Sequence, residues 1–149
     1  MERSEYTVEI GARRDRVFAW LVEPELMLRW IGGLREFHPL DPEPGVGARS
    51  RQVVEVAGRR MDVESRITAF EPERLLAAEL DGKGFHVDTR HELEDDGAGT
   101  TLVRAEAHTR LSGLAGRLLG GLADRGAQRK LAGDHARLKQ LVEAEGESA

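Results

Sequence analysis

The chain has 149 residues, of which 40% are hydrophobic and 33% charged, a balance typical of one globular domain. Its 22 basic and 27 acidic residues give a net charge of −5 without runs of like charge, which argues against a nucleic-acid-binding surface. The absence of cysteine excludes a disulfide scaffold, a zinc–thiolate centre, an iron–sulfur cluster and a thiol nucleophile.

Membrane and export signals are missing from the sequence. No apolar run approaches the roughly 20 residues that a membrane-spanning helix requires. Residues 1–6 lack the apolar stretch of a secretory signal peptide. We therefore expect a cytoplasmic protein that neither inserts into a membrane nor binds nucleic acid.

The beginning of the chain is predicted to form one strand and two short helices. Residues 5–10 alternate between apolar and polar side chains, which is typical of a half-buried strand. Residues 14–22 place their apolar side chains on one helical stripe. Pro24 can begin a second helix, because proline is tolerated at the first helical position, and the glycines at 32 and 33 end it.

The middle of the chain is predicted to be β-structure throughout. Short runs of glycine, proline and aspartate separate alternating segments, so sequential antiparallel hairpins are expected. The predicted strands are 34–40, 48–57, 60–70, 74–81, 84–94 and 100–109. Each of them has one polar and one apolar face.

The end of the chain returns to helical spacing. Within residues 112–145, apolar positions recur every three or four residues, and Leu131, His135 and Leu138 fall on one stripe. This pattern predicts one long amphipathic helix, followed by a frayed tail over 145–149. The overall order is strand, two short helices, six strands and one long helix, which predicts an α+β fold.

A sheet that wraps around one helix encloses a space that large side chains must fill or that remains open. Aromatic residues make up only 5% of the chain. Several residues predicted to point inward are small, namely Ser65, Ala78, Thr89, Ala105 and Ala107. We therefore expect an unfilled cavity with room for a ligand.

Local sequence patterns add a family resemblance. In order, they are Val8-Glu-Ile-Gly-Ala, Val17-Phe-Ala-Trp-Leu, Pro24-Glu-Leu with Arg29-Trp30, Pro44-Gly-Val-Gly-Ala-Arg, Ile67-Thr-Ala-Phe-Glu-Pro-Glu-Arg-Leu, and the turn from Gly97 to Thr101. Together with the order of elements, they resemble the START-like (SRPBCC) superfamily, most of all its bacterial polyketide cyclase/dehydrase-like branch. The resemblance covers essentially the whole chain and implies a single START-like ligand-binding domain over residues 1–149.

The resemblance implies a particular fold and a particular kind of ligand. The fold is the helix-grip fold, in which a seven-stranded curved antiparallel sheet wraps around a long C-terminal helix, with two short helices between strands 1 and 2. A hydrophobic cavity between sheet and helix would take lipids, polyketides, hormones or similar small apolar molecules. No cofactor is expected.

Two histidines are the candidates for polar chemistry in this cavity. His91 shares a strand face with Val87 and Leu93, where its imidazole could hydrogen-bond a ligand or act as a general acid or base. We single out His91 as the candidate catalytic residue of the cavity. His135 lies on the apolar helix stripe and could face His91. Each could instead be a core histidine bonded to a backbone group.

The inward strand faces, the second helix and the stripe of the long helix supply the residues expected to contact a ligand. They are Trp30, Met61, Val63, Ser65, Ile67, Thr89, His91, Ala105, Leu131, His135 and Leu138. Trp30 lies near the cavity entrance in the resembling fold. Packing of helix against sheet is the other role open to Trp30 and to Trp20.

Other polar groups give less specific signals. Glu36 and His38 share a strand face, and they would form an acid–base pair at the cavity mouth if that face points inward. His86 and His91 lie on opposite faces of one strand and cannot join in one metal site. The charged face around His86 and His108 is typical of solvated surface. No metal site is expected.

We predict that the protein binds or transports a small hydrophobic ligand such as a lipid or polyketide. One alternative is an enzyme, a polyketide cyclase or dehydratase that uses polar residues of the cavity. Another is a protein-interaction module resembling the Hsp90-activator branch. The inward faces offer few ionisable groups, which favours binding. A monomer or weak homodimer is expected.

Overall fold

The computed structural model describes residues 2–56 and 58–147, with side chains for all of them except residues 2, 114–125 and 147. The elements are β1 (Glu2–Ile10), α1 (Arg14–Val22), α2 (Pro24–Trp30), β2 (Leu34–Pro39), β3 (Arg49–Val56), β4 (Arg59–Glu71), β5 (Leu75–Gly82), β6 (Phe85–Asp95), β7 (Thr101–Leu111) and α3 (Gly113–Glu147). Residues 148 and 149 of the predicted tail lie outside the described residues. Within the described ranges, no helix combines the length and apolar content needed to cross a membrane.

The strands form one antiparallel sheet in the order β1-β7-β6-β5-β4-β3-β2. Strands β2 to β7 pair as sequential hairpins, and β1 pairs with β7. Bulges between Leu34 and Glu36 and between Ile67 and Ala69 bend their strands and curve the sheet. The predicted fold, a curved seven-stranded sheet with a long C-terminal helix and two short helices after the first strand, is confirmed.

Strand β1 is longer than the sequence pattern indicated. It begins at Glu2 rather than at residue 5, and Glu2 already pairs with Thr109 of β7. The reason is a polar residue at an inward position, since Ser4 is 3% exposed and lies opposite Ala107. A buried serine interrupts the apolar alternation without interrupting the strand.

The packed core lies at one end of the sheet, where the two short helices and the C-terminal half of α3 cover β1, β7 and β6. Its buried members are Val8, Ile10, Ala12, Val17, Phe18, Trp20, Leu21, Trp30, Leu93, Val103, Leu138 and Val142. Trp20 is fully buried, and the indole N–H of Trp30 donates to the carbonyl of Trp20 at 2.8 Å. Both tryptophans therefore pack the helices against the sheet.

Side chains of α3 pair with the backbone of the edge strand β1. Gln128 donates to the carbonyl of Glu5 at 2.8 Å and accepts from its N–H at 3.2 Å. Lys139 donates to the carbonyl of Glu9 at 2.7 Å. Because an edge strand otherwise presents unpaired backbone groups, these bonds fix the helix along the edge and protect it.

Two glycines fix the connection between α2 and β2. Gly33 has φ 83°, and a Cβ built on it would lie 2.7 Å from the carbonyl oxygen of Glu55. The N–H of Glu55 donates to the carbonyl of Gly33 at 2.7 Å. The N–H of Gly32 donates to Oδ1 of Asp134 at 3.1 Å. The segment is thereby tied to β3 on one side and to α3 on the other.

We expect Gly33→Ala to lower the free energy of unfolding by about 3 kcal/mol, because left-handed strain adds to a clash with backbone. Gly47→Ala is the matched control, since Gly47 has φ 89° but open space around a built Cβ. It should cost only the strain, about 1–2 kcal/mol. Urea unfolding measures both losses. Equal losses would contradict the close approach at Gly33.

Candidate functional site

One face of the sheet points towards α3, and we call it the concave face. Nε2 of His91 lies 2.8 Å from Nε2 of His135, and the ring of Tyr6 lies 6.3 Å from the same imidazole. His91 and Tyr6 therefore point towards the helix. Because side chains alternate along a strand and directly opposed residues share a face, the register assigns every other strand position to this face or to the convex one.

The middle of the concave face is lined by short side chains. Ala78, Thr89 and Ala107 lie directly opposite one another on β5, β6 and β7, and we call them the central row. Ile67 of β4 continues the row. All four residues are partly exposed, although they point towards α3. The fold thus leaves apolar surface partly uncovered on the inside of the sheet.

His91 and His135 meet between the sheet and the helix, as the sequence suggested they could. Their rings are stacked, with centroids 5.0 Å apart and planes inclined by 26°. Trp30 packs edge-on against both, at 5.0 Å from His135 and 6.3 Å from His91. Nδ1 of His135 lies 2.8 Å from the carbonyl oxygen of Leu131, one helical turn earlier. We call His91 and His135 the histidine pair.

Burial keeps the histidine pair uncharged. Loss of solvation lowers the pKa of His91 from 6.5 to about 3, and the positive charge that His135 can carry lowers it further. Loss of solvation also lowers the pKa of His135, against the opposing effects of its bond to Leu131 and of the nearby Asp134. Both imidazoles are therefore neutral at pH 7.

A buried carboxylate holds α2 against α3 beside the histidine pair. Asp134 accepts hydrogen bonds from Lys130 at 2.5 Å, from Arg137 at 3.2 Å and from the N–H of Gly32. Arg137 also donates to the carbonyl of Trp30 at 2.9 Å. These bonds place the end of α2, and with it the indole of Trp30, directly over the two imidazoles.

The predicted ligand-contacting residues divide into two groups. Five are buried, namely Trp30, Val63, Ala105, His135 and Leu138. Six are partly exposed, namely Met61, Ser65, Ile67, Thr89, His91 and Leu131. Trp30, His91 and His135 come together, with Ala105 directly opposite His91, whereas Leu138 belongs to the packed core. The partly exposed group has surface available for contact.

Sequence reasoning left several concave-face residues out of the predicted site, and five of them are long enough to reach a ligand or a neighbouring strand. They are Tyr6, Phe37, Gln52, Leu76 and Leu80, all partly exposed. Leu76 lies opposite His91, Leu80 opposite Ser65, and Phe37 opposite Gln52. Strand alternation together with the register would have found them, but the register cannot be derived from alternation alone.

The proposed acid–base pair of Glu36 and His38 lies on the wrong face. The two side chains bond to each other at 2.9 Å, and His38 is 62% exposed. Phe37, between them, takes the concave position opposite Gln52. The bulge after Leu34 determines which side chains of β2 lie on the concave face. The hypothesis that Glu36 and His38 form an acid–base pair at the cavity mouth is therefore wrong.

Charged groups on the convex face pair with one another. His86 contacts Asp81 at 2.6 Å and Asp88 at 3.0 Å, and these carboxylates raise its pKa. Glu79, His86 and Asp88 have the donor atoms and spacing that a metal ion needs. However, Arg66 bonds Glu79 and so neutralises a carboxylate that a cation would require. We assign no metal to this group.

The histidine pair predicts how stability depends on pH. Its lowered pKa values mean that the unfolded chain binds protons near pH 6.5 while the folded chain does not, so stability falls as the pH falls from about 6.5 towards 3. For His91 alone the loss is about 2 kcal/mol at pH 5. His91→Gln should therefore flatten the decline between pH 7 and pH 5, measured by urea unfolding.

His86→Gln is the control of opposite sign. The raised pKa of His86 stabilises the fold below pH 6.5, and this contribution is lost as the pH rises through the folded-state pKa. Removing it should steepen the acid decline. An unchanged pH dependence in His91→Gln would contradict a neutral, desolvated His91.

Comparisons with known proteins extend these observations. A family model described as polyketide cyclase/dehydrase and lipid transport matches residues 1–143. A START superfamily protein from Mycobacterium smegmatis superposes with a TM-score of 0.82 at 17% identity, covering 97% of this chain and 99% of that chain. No match was found among curated protein sequences.

Two other solved structures show the same fold. The protein TTHA0849 from Thermus thermophilus has a TM-score of 0.77 at 18% identity, covering 96% of this chain and 98% of that one. Ara h 8.0201 has a TM-score of 0.74 at 15% identity with the same coverage. Family and fold together support a ligand-binding domain. Because the family model spans almost the whole sequence, the chain belongs to the polyketide cyclase/dehydrase and lipid transport family.

Proposed function

We propose that this protein binds or carries a small hydrophobic molecule, such as a lipid or polyketide, between the concave face and α3. The observation that carries the proposal is the partly exposed apolar surface on the inside of the sheet. It is formed by the central row and by longer apolar side chains around it, namely Phe37, Val54, Met61, Ile67, Leu76, Leu80 and Val87.

The shape of this surface suits a ligand rather than a packed core. At the core end, large side chains such as Trp20 and Phe18 close the space completely. In the central row, the two alanines and Thr89 are short side chains that remain partly exposed. A ligand that covers about 200 Å² of apolar surface would gain about 5 kcal/mol before the costs of association.

The electrostatics of the concave face also favour an uncharged ligand. Away from the strand ends, the concave positions in the described strands carry one imidazole, His91, and no Asp, Glu, Lys or Arg. A charged ligand group would lose its hydration there without gaining a partner of opposite charge.

The environment of His91 favours binding over acid–base catalysis. A catalytic imidazole works best with a pKa near the operating pH. Burial lowers the pKa of His91 to about 3, so at neutral pH it is a weak base and is not in the imidazolium form that acts as a general acid. Its hydrogen-bond partner is another neutral histidine rather than a carboxylate.

Binding of Nile red, an uncharged apolar fluorescent dye, tests the proposal. We expect Nile red to bind the wild type and Thr89→Trp to weaken its binding at least about tenfold, because the indole would occupy the space over the central row. Arg90→Trp, one residue along on the convex face, is the matched control and should bind the dye like the wild type.

Circular dichroism establishes that both variants are folded. If Thr89→Trp unfolds, the smaller change Thr89→Met should still weaken dye binding in a folded protein. Equal binding by wild type, Thr89→Trp and Arg90→Trp would place the dye elsewhere and refute the proposed site.

A further inference from the structure

The hydrogen bonds of the histidine pair determine which ring nitrogens carry protons. The carbonyl oxygen of Leu131 can only accept, so Nδ1 of His135, 2.8 Å away, must be the donor. A neutral imidazole carries one proton, which leaves Nε2 of His135 as an acceptor. Nε2 of His91, at 2.8 Å from it, must then donate.

The consequence is a free acceptor on the sheet. Since the proton of neutral His91 is on Nε2, its Nδ1 carries a lone pair that can accept a hydrogen bond. No described residue bonds to this atom. His91 is itself partly exposed on the concave face, next to the central row along β6, so a molecule lying over that row can reach it.

We propose that the ligand carries a hydrogen-bond donor, a hydroxyl of an alcohol or phenol, that binds Nδ1 of His91. The inference rests on the proposed function and specifies its ligand class as a hydroxylated apolar molecule. The carbonyl of Leu131 in α3 fixes the tautomer of His135, and His135 in turn fixes the tautomer of His91. His91 then offers the ligand an acceptor at Nδ1.

The same geometry disfavours acceptor-only ligands. An ether, ketone or carboxylate would set its own lone pairs against that of Nδ1 and leave a desolvated acceptor without a partner. Sites that hydrogen-bond a substrate hydroxyl discriminate strongly against analogues that lack it, for this reason.

The other polar groups of the concave face lie on strands farther from the histidine pair, or can donate as well as accept. The hydroxyls of Ser50 and Ser65 bond to each other, and the amide of Gln52 donates to Ser50 at 3.2 Å. The hydroxyl of Thr89 contacts the carbonyl of Ala78 at 3.4 Å. Tyr6 has a hydroxyl that can donate as well as accept, so it would not distinguish a hydroxyl from an ether.

The test compares 2-naphthol with 2-methoxynaphthalene, which share an apolar ring system and differ in the donor. We expect the wild type to bind 2-naphthol about tenfold more tightly, the effect of one hydrogen bond in a desolvated site, as measured by calorimetry or fluorescence. His91→Phe keeps an aromatic ring but has no acceptor, and it should bind the two compounds equally. His86→Phe, which removes a histidine from the convex face of the same strand, is the matched control and should retain the preference.

If His91→Phe does not fold, a measurement on the wild-type protein alone still tests the proposal. With ¹⁵N-labelled protein, 2-naphthol should move the Nδ1 resonance of His91 upfield, as acceptance of a hydrogen bond does, and 2-methoxynaphthalene should not. Equal affinity for both compounds in the wild type, or a preference that persists in His91→Phe, would overturn the proposal and leave the apolar site intact. If neither compound binds, the proposed function is overturned as well.

Discussion

The contact between His91 and His135 joins the sheet to the helix through two groups that are both uncharged at neutral pH. A hydrogen bond between two imidazole nitrogens 2.8 Å apart needs a lone pair on one of them, so the rings cannot both be imidazolium ions, and the lowered pKa values leave neither of them charged at pH 7. Burial supplies that condition, and the carbonyl of Leu131 supplies the orientation. The pair therefore permits close approach of α3 to β6 without placing a charge on the concave face.

In the described strands, the concave face carries no charged side chain away from the strand ends, which is what the proposed hydrophobic ligand requires. The tryptophans and the two short helices pack against one end of the sheet. Asp134 of α3 accepts a hydrogen bond from Gly32 and so holds the end of α2 against α3. Stability is thus concentrated at the core end. The central row, built from short and partly exposed side chains, carries little of it, and it is the surface that we propose for the ligand.

Much of the fold could be predicted from the sequence, because period-two alternation and turn residues mark the bounds of six strands closely. The predicted first strand was too short only because Ser4 is polar and buried. The same alternation placed His91 inward, and helical spacing placed His135 on the inner stripe. What alternation could not supply was long-range pairing. The bulge after Leu34 put Glu36 and His38 outside, and the bond between Gly32 and Asp134 joins residues far apart in sequence that no local pattern connects.

The tautomers of the two histidines provide the most direct test, because neutrality and orientation of the pair underlie both the apolar site and its selectivity. Long-range ¹H–¹⁵N correlation spectra of the ¹⁵N-labelled protein at pH 7 report the protonation of each ring nitrogen. We predict neutral rings, with the proton on Nδ1 in His135 and on Nε2 in His91. An imidazolium signal from either residue, or a proton on Nδ1 of His91, would contradict this assignment.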